Sequence, residues 1–262
     1  MRLLEILLPI FLAIFFFWPL SGRKRSPAIS ILPTFTIVIL INHYRIEGWR
    51  WQMIPLYSIA IFTFLVTLPA FLKKKGAEDE ITPRLKLPQI MGLILLLGAS
   101  VALPTLLPVP TVPKPSGPFS VGTTTLELTD SSRAELYAES NSLRRLLVQV
   151  WYPASLSDTD QLAPWMESAQ LSAPALSDFI AMPPWFLDHL VYAKTSSYKN
   201  AVINSAQGPY PVIIFSHGWR GFREQNTFQM QELASHGYIV IAIQHTYGAM
   251  LTVFPDGFVA PN

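Results

Sequence analysis

Apolar runs dominate the N-terminal part of the chain, and their length decides what that part can be. Four occur: Leu3 to Leu20, Ala28 to Ile41, Met53 to Leu72, and Ile90 to Leu107. A helix needs about 20 predominantly apolar residues to cross roughly 30 Å of hydrocarbon. Inside lipid every backbone polar group must be satisfied within the protein, which favours helices. The first, third and fourth runs have the length. The second is short and holds Pro33, so it spans only if Ser26 to Asn42 is used and its flanks reach outward. We read 1–108 as an all-α transmembrane region, with helices at about 3–20, 27–42, 53–72 and 89–107. Composition agrees: half of the 262 residues are apolar and 14% are charged, against about a quarter charged in a water-soluble domain.

The first run could instead be a cleaved signal peptide. Glu5 in its n-region, the aromatic run Phe15-Phe16-Phe17-Trp18, and basic residues placed after the run argue for a retained helix. Lys and Arg are enriched in cytoplasmic loops. Loop one holds Arg23, Lys24 and Arg25. Loop two holds Arg45 and Arg50, offset by Glu47, and loop three holds Lys73, Lys74, Lys75, Arg84 and Lys86. Read as in, out, in, these charges put an integral protein in a bacterial inner or plasma membrane, with everything after Pro108 outside the cytoplasm. Trp49, Trp51 and Tyr57 fit an interfacial aromatic belt or an ordinary core.

From Pro104 to Pro118 the chain reads PTLLPVPTVPKPSGP. Proline fixes φ and removes a backbone donor, so neither helix nor central strand runs through this stretch. We take 109–118 as a semi-rigid linker holding the next domain off the lipid surface. Beyond it, in 119–262, the pattern turns to strands. Thr123 to Leu128 and Leu147 to Tyr152 are rich in β-branched and aromatic residues, and read as an antiparallel pair. Between Ser155 and Gly208 weak helical patterns are broken by Pro174, Pro183 and Pro184. The aromatic cluster Trp165, Phe179, Trp185, Phe186 and Tyr192 there is either a covering layer or a lid over an acyl site.

Chemistry concentrates in Pro211 to His245. Val212 to Phe215 is a wholly apolar, β-branched run, as in a parallel strand covered on both faces. Arg223 to Ser235 has helical spacing, with Thr227, Met230 and Ala234 on one face, and Gly237 is placed to end it. Tyr238 to Ile243 is a second apolar strand, completing a βαβ unit. His217-Gly218-Trp219-Arg220-Gly221 follows the first strand's carboxyl end, where open α/β sheets place ligands. Gly218 and Gly221 permit a sharp turn and a close backbone approach. The nucleotide fingerprints G-x-x-x-x-G-K and G-x-G-x-x-G are both absent.

The stretch is similar to the platelet-activating factor acetylhydrolase family, the plasma and isoform II type of serine esterase, and to related bacterial membrane-anchored α/β hydrolases. The resemblance rests on Phe215-Ser216-His217-Gly218, Gly221-Phe222-Arg223, Leu233-Ala234-Ser235-His236-Gly237 and His245. Val121-Gly122-Thr123 and Val150-Trp151-Tyr152-Pro153 resemble its opening strands. It implies the N-terminal portion of an α/β hydrolase, a partial β-β-β-α-β sheet, from about Gly117 onward. It also implies that the Trp219 backbone N–H is an oxyanion-hole donor and that His217 and Gly218 shape its loop. Trp219 replaces a smaller aliphatic residue, which narrows the acyl pocket. His236 and His245 are implied to be structural.

No G-x-S-x-G occurs, and in this fold nucleophile, acid and histidine follow the strands seen here in that order. The catalytic Ser, Asp and His are therefore expected outside these residues, in a longer parent of which this is a truncated, inactive copy. The parent is expected to be a serine carboxylic ester hydrolase acting on short-chain phospholipid-like esters. A polyester or dienelactone esterase and a noncatalytic membrane-bound remnant are the alternatives. No cofactor is expected, and no metal, because the five histidines are scattered and H-E-x-x-H is absent. A net charge of +2 without a basic face points away from nucleic acid, leaving lipid or small ester and membrane as partners.

Overall fold

The computed structural model describes residues 1–23, 26–72, 85–138 and 142–262. It divides into two compact units, Met1–Pro108 and Val109–Asn262. The loop charges Lys24, Arg25, Lys73, Lys74, Lys75 and Arg84 lie outside the described residues.

In the first unit, helix α1 (Leu3–Phe17) ends in a 3-10 turn, Trp18–Ser21. The short second run is divided into α2 (Pro27–Ser30) and α3 (Leu32–Asn42). The break falls at Ile31, because Pro33 has no N–H to continue a helix but suits the first turn of a new one. A π turn, His43–Glu47, and a 3-10 turn, Trp51–Met53, lead into α4 (Ile54–Leu72), and α5 spans Leu87–Leu106. Leu8, Leu12, Ile39, Met53, Leu56, Ala60 and Leu97 form the core. The outward faces are apolar too, with Phe62, Leu65, Val66 and Leu95 exposed. Helices hydrophobic all round suit lipid rather than water. Among the described residues three segments have the length and hydropathy to cross a membrane: Leu3–Ser21, Trp51–Pro69 and Leu87–Leu106.

One polar cluster interrupts this apolar unit. Glu5 and Arg50 are both buried, with Arg50 Nη1 3.0 Å from Glu5 Oε1. Arg50 Nη2 also donates to the carbonyls of Pro104 (3.3 Å) and Leu107 (2.8 Å), which closes the C-terminal end of α5. Arg2 bonds Glu5 through its backbone and side chain and reaches the Glu47 carbonyl. The charge assigned to loop two is thus largely spoken for inside the fold. The network ties the start of α1, the end of α3, the start of α4 and the end of α5 together.

The second unit begins with the linker, whose latter part is not free of the domain. Gln231 Nε2 donates to the Pro113 carbonyl, Ser116 N donates to Glu232 Oε2 at 2.8 Å, and Gly117 N donates to Ser235 Oγ at 3.0 Å. A Cβ on Gly117 would stand 2.2 Å from the Ser235 carbonyl oxygen, so only glycine fits this approach.

β1 (Ser120–Ala134) and β2 (Leu143–Ser155) pair antiparallel, Thr123 opposite Trp151. The insert that read as weakly helical holds one α-helix and two 3-10 turns, Asp188–Tyr192 and Ser205–Gln207, but adds strands. It contains β3 (Leu162–Pro164), α6 (Ala169–Phe179), β4 (Lys194–Lys199) and β5 (Val202–Ile203). β6 (Val212–Ser216), α7 (Thr227–Ser235) and β7 (Ile239–Gln244) then form the crossover, followed by the ribbon β8 (Leu251–Val253) and β9 (Val259–Pro261). The main sheet is seven-stranded, in order β3-β4-β1-β2-β7-β6 with β5 on β2. It therefore exceeds the expected β-β-β-α-β set, because the added strands β3 and β5 are too short, and β4 too polar, to carry a period-two hydrophobic signal.

α7 starts at Thr227 rather than Arg223. Arg223 N donates to Gln244 Oε1 at 2.8 Å, and the Glu224 carbonyl accepts from Thr227 Oγ1 at 2.7 Å, so 223–226 turn into the core instead of extending the helix. Met230 and Ala234 pack with Val121, Trp151, Val240 and Ala242 on one sheet face. Ile213 and Phe215 join them, whereas Val212 and Ile214 are exposed. Among the described residues β6, the last strand of the sheet order, is therefore covered on one face, with Val212 and Ile214 bare on the other, not on the expected two.

Replacing Arg50 by Met should destabilise the helical unit by about 3–5 kcal/mol, because a buried carboxylate loses a partner. Pairing it with Glu5→Leu should recover most of that loss. Helix content of the detergent-solubilised chain against increasing denaturant measures both, and equal midpoints for wild type and Arg50→Met would contradict the assignment.

Candidate active site

β6 and β7 run parallel with Ser216 beside Ile243, so both strands deliver their following loops to the same sheet edge. Those loops are laced together. Arg220 N donates to the Gly248 carbonyl and Met250 N to the Gly221 carbonyl, each at 3.0 Å. Ser216 Oγ lies 2.7 Å from His245 Nε2, and His245 N donates to His217 Nε2 at 3.3 Å. His217 Nδ1 is 2.7 Å from the Gly218 carbonyl oxygen. A carbonyl only accepts, so Nδ1 donates there while Nε2 faces the His245 N–H, and the buried His217 ring is held between the two loops.

The pentapeptide turns by a different device from the one its glycines suggest. Arg220, not Gly218, takes the left-handed conformation, at φ 56°. Its guanidinium sits 5.1 Å from the Phe179 ring centroid, drawing the end of α6 over the turn. At Gly221 a Cβ would meet the Gly218 carbonyl oxygen at 2.9 Å, so glycine is a packing requirement there. At Gly218 a Cβ would meet nothing within 4 Å, so the space beside that backbone is open. Trp219 follows in the turn, 81% exposed, and among the described residues its N–H finds no acceptor. The three residues singled out from sequence, His217, Gly218 and Trp219, thus stand together between β6 and α7.

A buried ion network underlies the loop. Arg223 Nε is 3.0 Å from Glu224 Oε1, and Arg223 Nη2 is 3.5 Å from Glu167 Oε2, which Lys199 also approaches. Burial pushes the Glu224 carboxyl up despite Arg223. Burial also works against the Glu167 carboxylate, but a bond from Thr125 with the charges of Arg223 and Lys199 outweighs it and holds Glu167 low. Trp165 Nε1 donates to the Glu224 carbonyl at 2.9 Å, binding the aromatic insert to this layer. Helical periodicity missed Arg223 and Glu224 because they read as an exposed first turn. The available signal was Arg223 in the family-like Gly-Phe-Arg.

Ser216 and His245 stand at the distance of a nucleophile and its base. Burial pushes the His245 imidazole down, and His217 and the Arg144 charge add to the shift. Surroundings that disfavour the imidazolium make a poor general base. The pair bridges the ends of the two strands, and His236 is engaged by Glu232 at 3.1 Å.

A possible metal cluster lies in the helical unit, where ligand atoms of Glu5, His43 and Glu47 fall within 4.8 Å of one another. Arg2 and Arg50 already occupy the Glu5 oxygens and balance the two carboxylates. A divalent ion added there would bury two uncompensated charges, which the interior disfavours.

Residues 107–256 match the family described as platelet-activating factor acetylhydrolase, isoform II. A platelet-activating factor acetylhydrolase from Cavia porcellus is 33% identical over 140 residues, 52% of this chain and 29% of that protein. One from Gallus gallus is 30% identical over 139 residues, 51% and 30% of the two chains. A putative phospholipase A2 from Schizosaccharomyces pombe is 29% identical over 143 residues, 51% and 32%. The chain thus spans about three tenths of the length of these curated relatives. The solved ferulic acid esterase from Streptomyces cinnamoneus is similar at TM-score 0.50 and 32% identity, covering 58% of this chain and 41% of that one. The mixed sheet with its helices is accordingly α/β-hydrolase-like.

Gly221→Ala should cost about 1–3 kcal/mol by overpacking against backbone, while Gly218→Ala should leave the melting midpoint of the full chain unchanged. The two melting curves decide it, and equal losses would refute the contrast. His245 has a folded pKa below its ordinary 6.5, so its contribution is present above that pH and lost as pH falls through the folded value. Wild type should therefore lose stability on acidification through this window more steeply than His245→Gln. Parallel stability profiles for the two proteins would count against a neutral His245.

Proposed function

Because the chain belongs to the platelet-activating factor acetylhydrolase, isoform II, family, we propose that it carries the oxyanion-hole loop of a membrane-anchored serine esterase. Its substrates are short-chain acyl esters of phospholipid-like molecules. The observation that carries the proposal is the unengaged N–H of Trp219, set in a turn at the carboxyl end of β6 beside the open space at Gly218.

When a serine hydroxyl attacks an ester carbonyl, negative charge develops on the carbonyl oxygen, and a preorganised N–H lowers that state by about 2.7–4 kcal/mol. Trp219 N–H supplies one such donor. His217 and Gly218 hold its loop, and the indole of Trp219 borders the acyl group. The nucleophile, its histidine and its acid are assigned outside these residues, which contain no G-x-S-x-G. The aromatic insert, reached through Arg220 and Phe179, borders the substrate approach.

The anchor is the helical unit, supported by three segments with the length and hydropathy of spans. Glu5 is bound into that unit by Arg2 and Arg50, which favours a retained first helix over a cleaved one. The loop charges favour an extracytoplasmic hydrolase domain. A noncatalytic membrane-bound module is the second reading, favoured by the bare side chains of Val212 and Ile214 on β6.

Full-length parent protein should turn over p-nitrophenyl acetate and lose that activity to a serine-directed organophosphate. In it, Trp219→Pro, which deletes the N–H, should lower kcat by about 10²–10³, whereas Trp219→Ala, which keeps the N–H, should retain activity within a few-fold. Absent or organophosphate-resistant turnover leaves the noncatalytic reading, and equal losses in the two variants remove the backbone role.

A further inference from the structure

A cavity of about 610 Å³ lies apart from the oxyanion loop, between the residues that follow β1 and open β2, those after β7, and the β8–β9 ribbon. Nothing in the ester-hydrolysis reading uses it. Tyr137, Tyr247, Phe254 and Phe258 line it together with the acidic side chain of Glu135. The rings form two tilted pairs, Tyr137 with Tyr247 at 6.2 Å and Phe254 with Phe258 at 5.9 Å between centroids.

The charge in the cavity is unevenly satisfied. Glu135 has a side chain only 3% exposed, and Oε1 accepts from Tyr137 N at 3.3 Å. Its Oε2 makes no hydrogen bond among the described residues, and Arg144 Nη1 stands 3.9 Å away, too far to donate to it. Arg145, the cation lining the cavity, is committed elsewhere. It donates to Glu127 Oε1 at 2.7 Å, pairs with Asp256 Oδ2 at 2.8 Å, and lies 4.1 Å from the Phe254 centroid. Among these described residues, three carboxylates therefore face two guanidinium groups, leaving a negative excess. With two carboxylates already on its guanidinium, Arg145 makes a poor anion receptor.

Aromatic faces with one carboxylate in excess suit a cation whose charge is spread over an apolar, weakly hydrated surface. A small inorganic cation wants several oxygen ligands converging at 2.0–2.6 Å, and one buried carboxylate does not offer them. We propose that this cavity binds an alkylated ammonium group. The rings supply cation–π attraction, and Glu135 supplies the counter-charge. The site stands on its own geometry, independent of ester hydrolysis.

Calorimetric titration of the detergent-solubilised chain with tetramethylammonium chloride tests the site, with sodium chloride and sodium phosphate as parallel titrants. Tetramethylammonium should bind saturably and the other two should not. Glu135→Gln should weaken binding roughly tenfold, as should Tyr137→Ala, while Tyr137→Phe keeps the ring and retains affinity. Tyr137 is 73% exposed, so its loss does not endanger folding and keeps the test decisive if Glu135→Gln misfolds. Tetramethylammonium heats indistinguishable from sodium, saturable phosphate binding alone, or an unchanged affinity in Tyr137→Ala would each overturn the proposal.

Discussion

The parallel pairing of β6 with β7 is the constraint from which the candidate site follows. Parallel neighbours need a crossover, here α7, and the crossover sends both strands out of the sheet at the same edge. His217–Gly221 and His245–Met250 must then meet. Their meeting is fastened by two backbone bonds and the Ser216–His245 contact rather than by apolar packing. Among the described residues the Trp219 N–H finds no acceptor, because its neighbours, not it, hold the turn.

Buried charge is handled alike in the two units. Glu5 with Arg50, and Glu224 with Arg223, place carboxylates against guanidinium groups where water is excluded. Replacing such pairs with apolar residues is often neutral for stability, so their worth lies in what they join. Arg50 joins helix ends that apolar contacts alone leave free to slide. Arg223 and Glu167 join the insert to the loop below Gly221, since Glu167 precedes α6 and Trp165 bonds the Glu224 carbonyl.

Legibility in the sequence followed the strength of local period. The apolar helices, the β1–β2 pair and the β6-α7-β7 unit announce themselves through runs of Ile, Leu, Val and Phe at helical or strand spacing. The strands β3 and β5 do not, because three and two residues are too few to show a period, and β4 does not, because its buried residues Thr195 and Ser197 are polar and hydrogen-bonded. The start of α7 was misplaced because helical spacing continues through Arg223 and Glu224, and only the long-range bond to Gln244 diverts them. In the site, His217, Gly218 and Trp219 were found from glycine placement and family resemblance. The left-handed Arg220 was not, since a non-glycine residue in that region is chosen by its surroundings.

That last residue shows how the turn divides its labour. Left-handed backbone costs a side-chain-bearing residue on the order of 1–2 kcal/mol, and glycine at 220 would avoid the cost. It would also lose the guanidinium that covers Phe179 and anchors the end of α6. Gly218, by contrast, carries no positive φ and no crowding, so neither conformation nor packing within these residues demands it. A glycine required by neither leaves bare backbone beside open space. Bare backbone is what an incoming carbonyl oxygen needs to come within hydrogen-bonding distance of the next N–H.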